Sequence, residues 1–152
     1  MIFATVGTQL PFDRLLLALD TWAALKPEVP VLAQTGRSSQ TYAHLTTVPH
    51  MDQSRFLASV MEARVIVSHA GMGTILTALE LGKPLILMPR RADLGEHRND
   101  HQRDTAAEMR RLSTVTVVED SASLCQTLQA RLDAGAALPG PVSPEDERPP
   151  HY

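Results

Sequence analysis

The sequence predicts an α/β fold, an open parallel β-sheet with helices on both of its faces. Two observations predict it. Apolar runs without alternation, such as "RVIVS" (64–68) and "KPLILMP" (83–89), are typical of strands buried on both faces of a parallel sheet. Stretches with apolar residues at helical spacing separate such runs along the chain. Regular alternation of strand and helix favours parallel strands joined by helical crossovers.

The first half of the chain supplies three further strands. "IFATV" (2–6) predicts the first strand, and Pro11 suits the first position of the helix that follows. "VPVLAQ" (29–34) predicts the second strand, and "LTTVPH" (45–50) a short third one.

Helices and one last strand complete the pattern. Asp52 is a good N-cap for an amphipathic helix over 53–63. A second amphipathic helix is predicted within 99–112, and "STVTVVE" (113–119) predicts the last strand.

The chain is expected to hold one domain, residues 1–134, followed by a Pro-rich tail at 135–152. The domain closes with a helix that has Asp120 or Ser121 as its N-cap and that ends at Gly135. Five of the eleven prolines follow that glycine, and this composition predicts a disordered tail.

Charge and composition exclude several classes of protein. A formal net charge of -3 argues against a general nucleic-acid binder. The single cysteine, Cys125, cannot form an internal disulfide, and it indicates a reduced, cytoplasmic location. No apolar run approaches the ~20 residues that cross a bilayer, so we expect no direct membrane span.

Small, polar or cationic residues follow the predicted strands. These strand ends are Gly7-Thr8-Gln9, Gln34-Thr35-Gly36, Ser68-His69-Ala70-Gly71 and Pro89-Arg90-Arg91. Because ligands of open α/β sheets bind beyond the carboxyl ends of the strands, this distribution predicts a polar, anionic ligand across one sheet edge.

The stretch "SHAGMGT" (68–74) leads from a strand to a helix. Gly71 and Gly73 let backbone N–H groups approach a ligand, and the helix directs its unpaired N–H groups to the same place. A diphosphate is the natural occupant, with Thr74 and His69 as further donors. The alternative is that the glycines only shape a tight turn, because a lone Gly-x-Gly is weak evidence.

The polar stretch "GEHRNDHQRD" (95–104) allows three interpretations. His97 and His101 are four residues apart and could form a metal pair on a helix, but no third ligand has a recognisable spacing, so we expect no metal site. The stretch could also be a solvated helix start. The interpretation that best fits the neighbouring glycine loop is a turn in which His101 and Gln102 hydrogen-bond sugar hydroxyls.

With these motifs, the chain resembles the C-terminal, donor-binding half of the GT-B glycosyltransferases of family 28. The likeness is greatest to single-domain members: the soluble subunit of the two-chain GlcNAc transferase of dolichol-linked oligosaccharide synthesis, and bacterial exopolysaccharide counterparts. It covers residues 1–132, and its most specific segments are "ATVGTQLPFDRL", "VSHAGMGTILTALELGKPLILMPR" and "NDHQRDTA".

The resemblance implies a role for each matching position. It places the diphosphate of a UDP-sugar on Ser68, His69, Gly71, Gly73 and Thr74, the donor sugar on His101 and Gln102, and uracil near Pro49, His50 and Met51, with Gly7 and Thr8 facing the same cleft. Many relatives bind ribose through a glutamate at the position of Thr77, so either Thr77 or the nearby Glu80 is expected to serve. Arg90 or Arg91 could reach a phosphate or a glucuronate carboxylate.

The implied activity is that of an inverting, metal-independent UDP-dependent hexosyl- or glucuronosyltransferase without a cofactor. A complete GT-B enzyme has two such domains. The resemblance therefore implies a membrane-associated, acceptor-binding partner subunit that recruits this chain to the inner face of the cytoplasmic membrane. The acceptor would be a polyprenyl-diphosphate-linked saccharide in exopolysaccharide synthesis, and no residue here is assigned as the general base.

Two other functions stay open at this point. The chain could be a non-catalytic nucleotide-binding or scaffolding subunit. It could also be an oxidoreductase domain with "GMGT" as its phosphate loop and Arg90 or Arg91 on an NADP 2′-phosphate. The second alternative is disfavoured because the loop comes late in the chain and lacks a third glycine.

Overall fold

The structure, a computed structural model, describes residues 1–137, and the side chains up to residue 134. The strands are β1 (Ile2–Thr5), β2 (Val31–Gln34), β3 (Thr46–Val48), β4 (Val65–Ser68), β5 (Leu85–Leu87) and β6 (Val115–Val117). The helices are α1 (Asp13–Leu25), α2 (Gln53–Glu62), α3 (Met72–Glu80), α4 (His101–Met109) and α5 (Ser121–Ala137), with a 3-10 turn at Ala92–Leu94.

The six described strands form one parallel sheet in the order β3-β2-β1-β4-β5-β6, which confirms the predicted fold class. The chain runs outward from β1 to β3 and then crosses back to place β4 beside β1. Ile2 is paired with Val31 on one side and Val65 on the other. This reversal is a topological switch point, where the loops after β1 and β4 diverge and leave a crevice.

Helices cover both faces of the sheet. Alternate residues of β1 point to opposite sides: Ile2 and Ala4 pack with α1 and α5, whereas Phe3 packs with α2 and α3. β1, β4 and β5 are buried along their whole length, and for β4 and β5 the unbroken apolar runs predicted this burial. The burial of these central strands fixes the sheet edge at which the candidate ligand residues lie.

The helix starts confirm two predicted caps and correct the predicted first residue of α1. Asp52 accepts a hydrogen bond from Arg55 N at 2.8 Å and caps α2, as predicted. The cap of α5 is Asp120, whose carboxylate accepts from Ser123 N at 2.8 Å. The prediction that Pro11 opens α1 is wrong, because α1 begins two residues later.

The loop before α1 is held in place by tertiary contacts. The carbonyl of Pro11 accepts a hydrogen bond from Arg90 Nη1 at 3.1 Å, and Phe12 is fully buried. Phe12 has a non-helical backbone with φ -135° and ψ 63°. Burial of this aromatic side chain therefore outweighs the local preference of proline for a helix start.

The end of α5 also differs from the prediction. The helix continues through Gly135 to Ala137, so this glycine does not end it. The predicted boundary between domain and tail falls inside the helix, while residues 138–152 of the predicted tail lie outside the described residues. Among helices of residues 1–137, none combines the length and apolarity needed to cross a bilayer.

Candidate functional site

A cleft of about 550 Å³ opens at the carboxyl edge of the sheet, beside the switch point between β1 and β4. It is bounded by the ends of β1 and β2 and by the first turns of α2 and α3. The lining residues are Thr5, Gly7, Thr8, Gln34, Met51, Gln53, Phe56, Gly73, Thr74 and Thr77. Its position is that of the ligand crevice in open α/β sheets.

The two helices that reach this cleft differ at their N-termini. The N-terminus of α2 is capped by the Asp52 carboxylate. The N-cap residue of α3 is Gly71, and no side chain accepts a hydrogen bond from the first N–H groups of this helix. The first N–H groups of α3 therefore remain available, and together with the helix dipole they form a site for an anion.

The wall of the cleft on α3 is made of small residues. A Cβ added at Gly73 would have no heavy atom within 4 Å, so space for a ligand lies directly above this backbone. Thr74 lies one residue further into the helix, and the Thr77 hydroxyl donates a hydrogen bond to Gly73 O at 3.0 Å. This wall offers backbone N–H groups and the hydroxyl of Thr74, which suit phosphate oxygens, whereas the hydroxyl proton of Thr77 is used within the helix.

The floor of the cleft is fixed by the amide of Gln34. Its Oε1 accepts from Thr5 Oγ1 at 2.7 Å, and its Nε2 donates to Gly7 O at 3.1 Å and Pro49 O at 2.7 Å. These bonds connect the loop after β1 to the segment before α2. Gln34 therefore positions the backbone around the cleft, and its polar atoms are satisfied by the protein.

A buried network lies behind the loops after β1 and β4. The imidazole of His69 packs so closely on Gly71 that a Cβ there would be 2.7 Å from its Nε2. Its Nδ1 lies 3.0 Å from Gln102 Nε2 and 3.4 Å from Arg90 Nε. Gln102 Oε1 in turn accepts from Ala70 N at 3.2 Å and Arg90 N at 3.1 Å. These hydrogen bonds join the loops after β4 and β5 to the first turn of α4.

Arg90 is a buried cation, with 2% of its surface exposed. Its guanidinium donates to the carbonyls of Pro11 and Glu96 at 3.1 Å, and to that of Val6. It also lies over the ring of Phe12, 4.9 Å from the centroid. Burial lowers the pKa of Arg90 to about 10, an effect that Glu96 opposes, so the group stays charged at neutral pH. Arg90 thus holds two loops together.

His69 is held neutral by its surroundings. Burial, and then the coulombic effects of Arg90 and His97, lower the pKa of His69 to about 4. The imidazole is therefore uncharged at neutral pH, and any contact it makes with a ligand is a neutral hydrogen bond.

This shift predicts a pH dependence of stability. The unfolded chain binds a proton at His69 near pH 6.5 and the folded chain only near pH 4. The unfolded state therefore binds more protons between these values, and stability that is complete above pH 6.5 is lost as the pH falls. From pH 7.5 to pH 5 we expect a loss of about 2 kcal/mol through this group. Urea unfolding of the native chain and of His69→Gln measures it; an equal loss in both would contradict the prediction.

The comparisons with known proteins identify the fold's family. The model of the glycosyltransferase family 28 C-terminal domain matches residues 1–138. The chain belongs to this family. Among curated protein sequences, none matches the chain significantly.

Solved glycosyltransferase structures share the fold of this family 28 domain. The glycotransferase of kitacinnamycin superposes with a TM-score of 0.64 at 21% identity, covering 90% of this chain and 35% of that one. CalG4, the calicheamicin glycosyltransferase, superposes with a TM-score of 0.61 at 16% identity, covering 88% of this chain and 35% of that one. MurG of Acinetobacter baumannii superposes with a TM-score of 0.56 at 21% identity, covering 86% of this chain and 40% of that one. At these identities the likeness shows the fold alone, that of a GT-B C-terminal half, and the chain spans 35% to 40% of these proteins.

The structure brings part of the predicted site of the family 28 domain to the cleft. The predicted residues that line it are Gly7, Thr8, Gly73, Thr74 and Thr77, and Met51 of the segment expected near uracil. Between the two ribose candidates, Thr77 lines the cleft, whereas Glu80 is exposed at the last residue of α3 and is not among the lining residues. Ligand contacts by all of these residues stay predictions.

Other predicted residues lie elsewhere. Ser68 is fully buried and donates to the His69 carbonyl at 2.7 Å, and Gln102 and Arg90 bond to the protein as described. His101 is exposed at the start of α4, and the side chain of Arg91 pairs with Asp93 at 2.6 Å. The structure thus gives Ser68, Arg90 and Gln102 internal partners, and direct ligand contacts by them stay predictions.

The idea of a histidine pair on one helix face does not fit the structure. His97 precedes α4, and its Nδ1 accepts from Asn99 N at 3.4 Å, whereas His101 opens the helix. Within the described residues, no group of three or more His, Cys, Asp or Glu could hold a metal ion.

Three lining residues were not singled out from the sequence: Thr5, Gln53 and Phe56. A signal for Gln53 was present, because the residue after a predicted cap lies at the carboxyl edge of a parallel sheet. Phe56 belongs to the amphipathic helix predicted over 53–63, where an apolar residue indicates a core contact. It does pack edge-on against Phe3, with ring centroids 5.8 Å apart, and one side chain serves both core and cleft.

Proposed function

We propose that this chain is the donor-binding half of a UDP-sugar-dependent glycosyltransferase. The observation that carries the proposal is the cleft at the switch point, bounded by the uncapped N-terminus of α3 and open above Gly73. Such a helix end is suited to a diphosphate, and family 28 membership makes a nucleotide sugar the natural source of one. The donor is a UDP-hexose or a UDP-hexuronate.

The geometry supports stabilisation of a leaving diphosphate. An acceptor hydroxyl attacks the anomeric carbon, the bond from this carbon to the diphosphate oxygen breaks, and UDP leaves with the bonding electrons. N–H groups at the start of α3 would face the charge that grows on the diphosphate, which removes the requirement for a metal ion. The hydroxyl proton passes to a base that we assign to the partner.

A second chain completes this proposal. The resemblance to single-domain members of family 28 supports an acceptor half on a separate, membrane-associated subunit. This subunit would present a polyprenyl-diphosphate-linked saccharide in exopolysaccharide synthesis. It would also hold this chain at the inner face of the cytoplasmic membrane.

Titration calorimetry with UDP, with and without magnesium, tests the proposal. We expect UDP to bind in both conditions with the same affinity, since the helix N-terminus and hydroxyls replace a metal. NADP serves as the control ligand and should give no heat. The absence of UDP binding at millimolar concentration, for the chain alone and for the chain purified with its partner, would contradict the proposal, as would tighter binding of NADP.

A further inference from the structure

We propose that Gln102 is a positioning residue that fixes the tautomer of His69, so that the imidazole carries its proton on Nε2. The two side chains come from α4 and from the loop after β4, and their nitrogens are 3.0 Å apart. The consequence for ligand binding, a neutral N–H donor held beside the cleft, rests on the proposed function. The tautomer itself does not.

The orientation of the Gln102 amide is determined by two backbone donors. Ala70 N and Arg90 N both donate to Oε1, at 3.2 Å and 3.1 Å. An amide nitrogen cannot accept these bonds, so the atom that faces His69 is the NH2 group. Gln102 is 8% exposed, and its orientation is therefore set by the protein.

The orientation of the amide decides the protonation of the imidazole. Nδ1 of His69 meets two groups that can only donate, Gln102 Nε2 at 3.0 Å and Arg90 Nε at 3.4 Å. Nδ1 must therefore be the acceptor, and a neutral ring carries its hydrogen on Nε2. Burial and the charge of Arg90 disfavour a second proton.

The position of Nε2 leaves its hydrogen available to a ligand. A Cβ built on Gly7 would lie 3.0 Å from Nε2, and Gly7 lines the cleft. His69 is partly exposed, and the described residues offer its Nε2 no hydrogen-bond acceptor. The Nε2–H group is thus an unpaired donor beside Gly7, one of the residues that line the cleft. Gln102 acts through this group, in contrast to the direct sugar contact that the sequence suggested for it.

Nitrogen NMR of the full chain labelled with 15N-histidine tests the tautomer without any nucleotide. We expect His69, assigned by its loss in His69→Asn, to show a protonated Nε2 and an unprotonated Nδ1 at pH 7. In Gln102→Glu, which keeps the shape, a carboxylate oxygen faces Nδ1 and the proton should move to Nδ1. His101→Ala, at the exposed neighbouring position, should leave the His69 signals unchanged. A native His69 protonated on Nδ1, or a Gln102→Glu spectrum identical to the native one, would overturn the inference.

A UDP titration at pH 8 tests the consequence. Gln102→Glu should weaken UDP binding about tenfold, because Nε2 then presents a lone pair to phosphate. In a His69→Gln background, where an amide replaces the imidazole, the same change should weaken binding less than twofold, which controls for the added charge. An equal loss in both backgrounds would overturn the role through His69. If UDP binds neither to the native chain nor to the chain purified with its partner, the proposed function fails, while the NMR result still decides the tautomer.

Discussion

Gly36→Ala is expected to destabilise the protein by about 3–5 kcal/mol. Gly36 follows β2, is buried and has a φ of +59°, a conformation that costs an L-residue about 1–2 kcal/mol. A Cβ there would also lie 2.3 Å from Gly7 O, a backbone atom that Gln34 holds with a hydrogen bond. Neither loop can yield without disturbing the floor of the cleft.

Gly95→Ala is the matched control for this prediction. Gly95 has a φ of +71°, but a Cβ there meets nothing within 4 Å. Gly95→Ala should therefore lower the free energy of unfolding only through the strained backbone, by about 1–2 kcal/mol. Urea unfolding of both variants measures the difference, which isolates the contact with Gly7 O. Similar free energies of unfolding for Gly36→Ala and Gly95→Ala would show that the loops after β1 and β2 move apart easily, contrary to this prediction.

The fold was predictable because its signals are local. Unbroken apolar runs indicated β4 and β5 as buried parallel strands, and a single carboxylate, Asp52, indicated the start of α2. Once the strands are parallel, their carboxyl ends must share one edge. That geometric necessity is why Gly7 and Gly73, 66 positions apart in the sequence, could be expected at the same cleft.

Which polar residues of the site face a ligand and which bind the protein was not predictable, since this depends on contacts between distant segments. A polar residue after a strand has the same sequence signature whether it faces a ligand or binds the protein. Arg90 lies 84 positions from Val6, whose carbonyl it binds, and Gln102 lies 32 from Ala70. Only the packing of the loops shows that both side chains are internal, while Gly73 on the opposite wall remains open.

Gly73→Val is expected to weaken UDP binding at least about 100-fold, equivalent to about 2.7 kcal/mol, and to leave the fold intact. Nothing in the protein lies within 4 Å of a Cβ at Gly73, so the new side chain fits the free protein. The helix propensities of valine and glycine differ little, and we expect the free energy of unfolding to change by less than about 0.5 kcal/mol. The isopropyl group would instead occupy the space above the first N–H groups of α3.

Leu76→Val provides the control, because it introduces the same side chain on the same helix at an exposed position that does not line the cleft. Calorimetry with UDP should distinguish the two variants clearly, with native affinity retained in Leu76→Val. If Gly73→Val bound UDP like the native chain, the glycines of "SHAGMGT" would serve only to shape the turn from β4 into α3, and the diphosphate would have to be placed elsewhere. Loss of binding with unchanged stability instead favours a diphosphate at the start of α3, because only a ligand makes that open space matter.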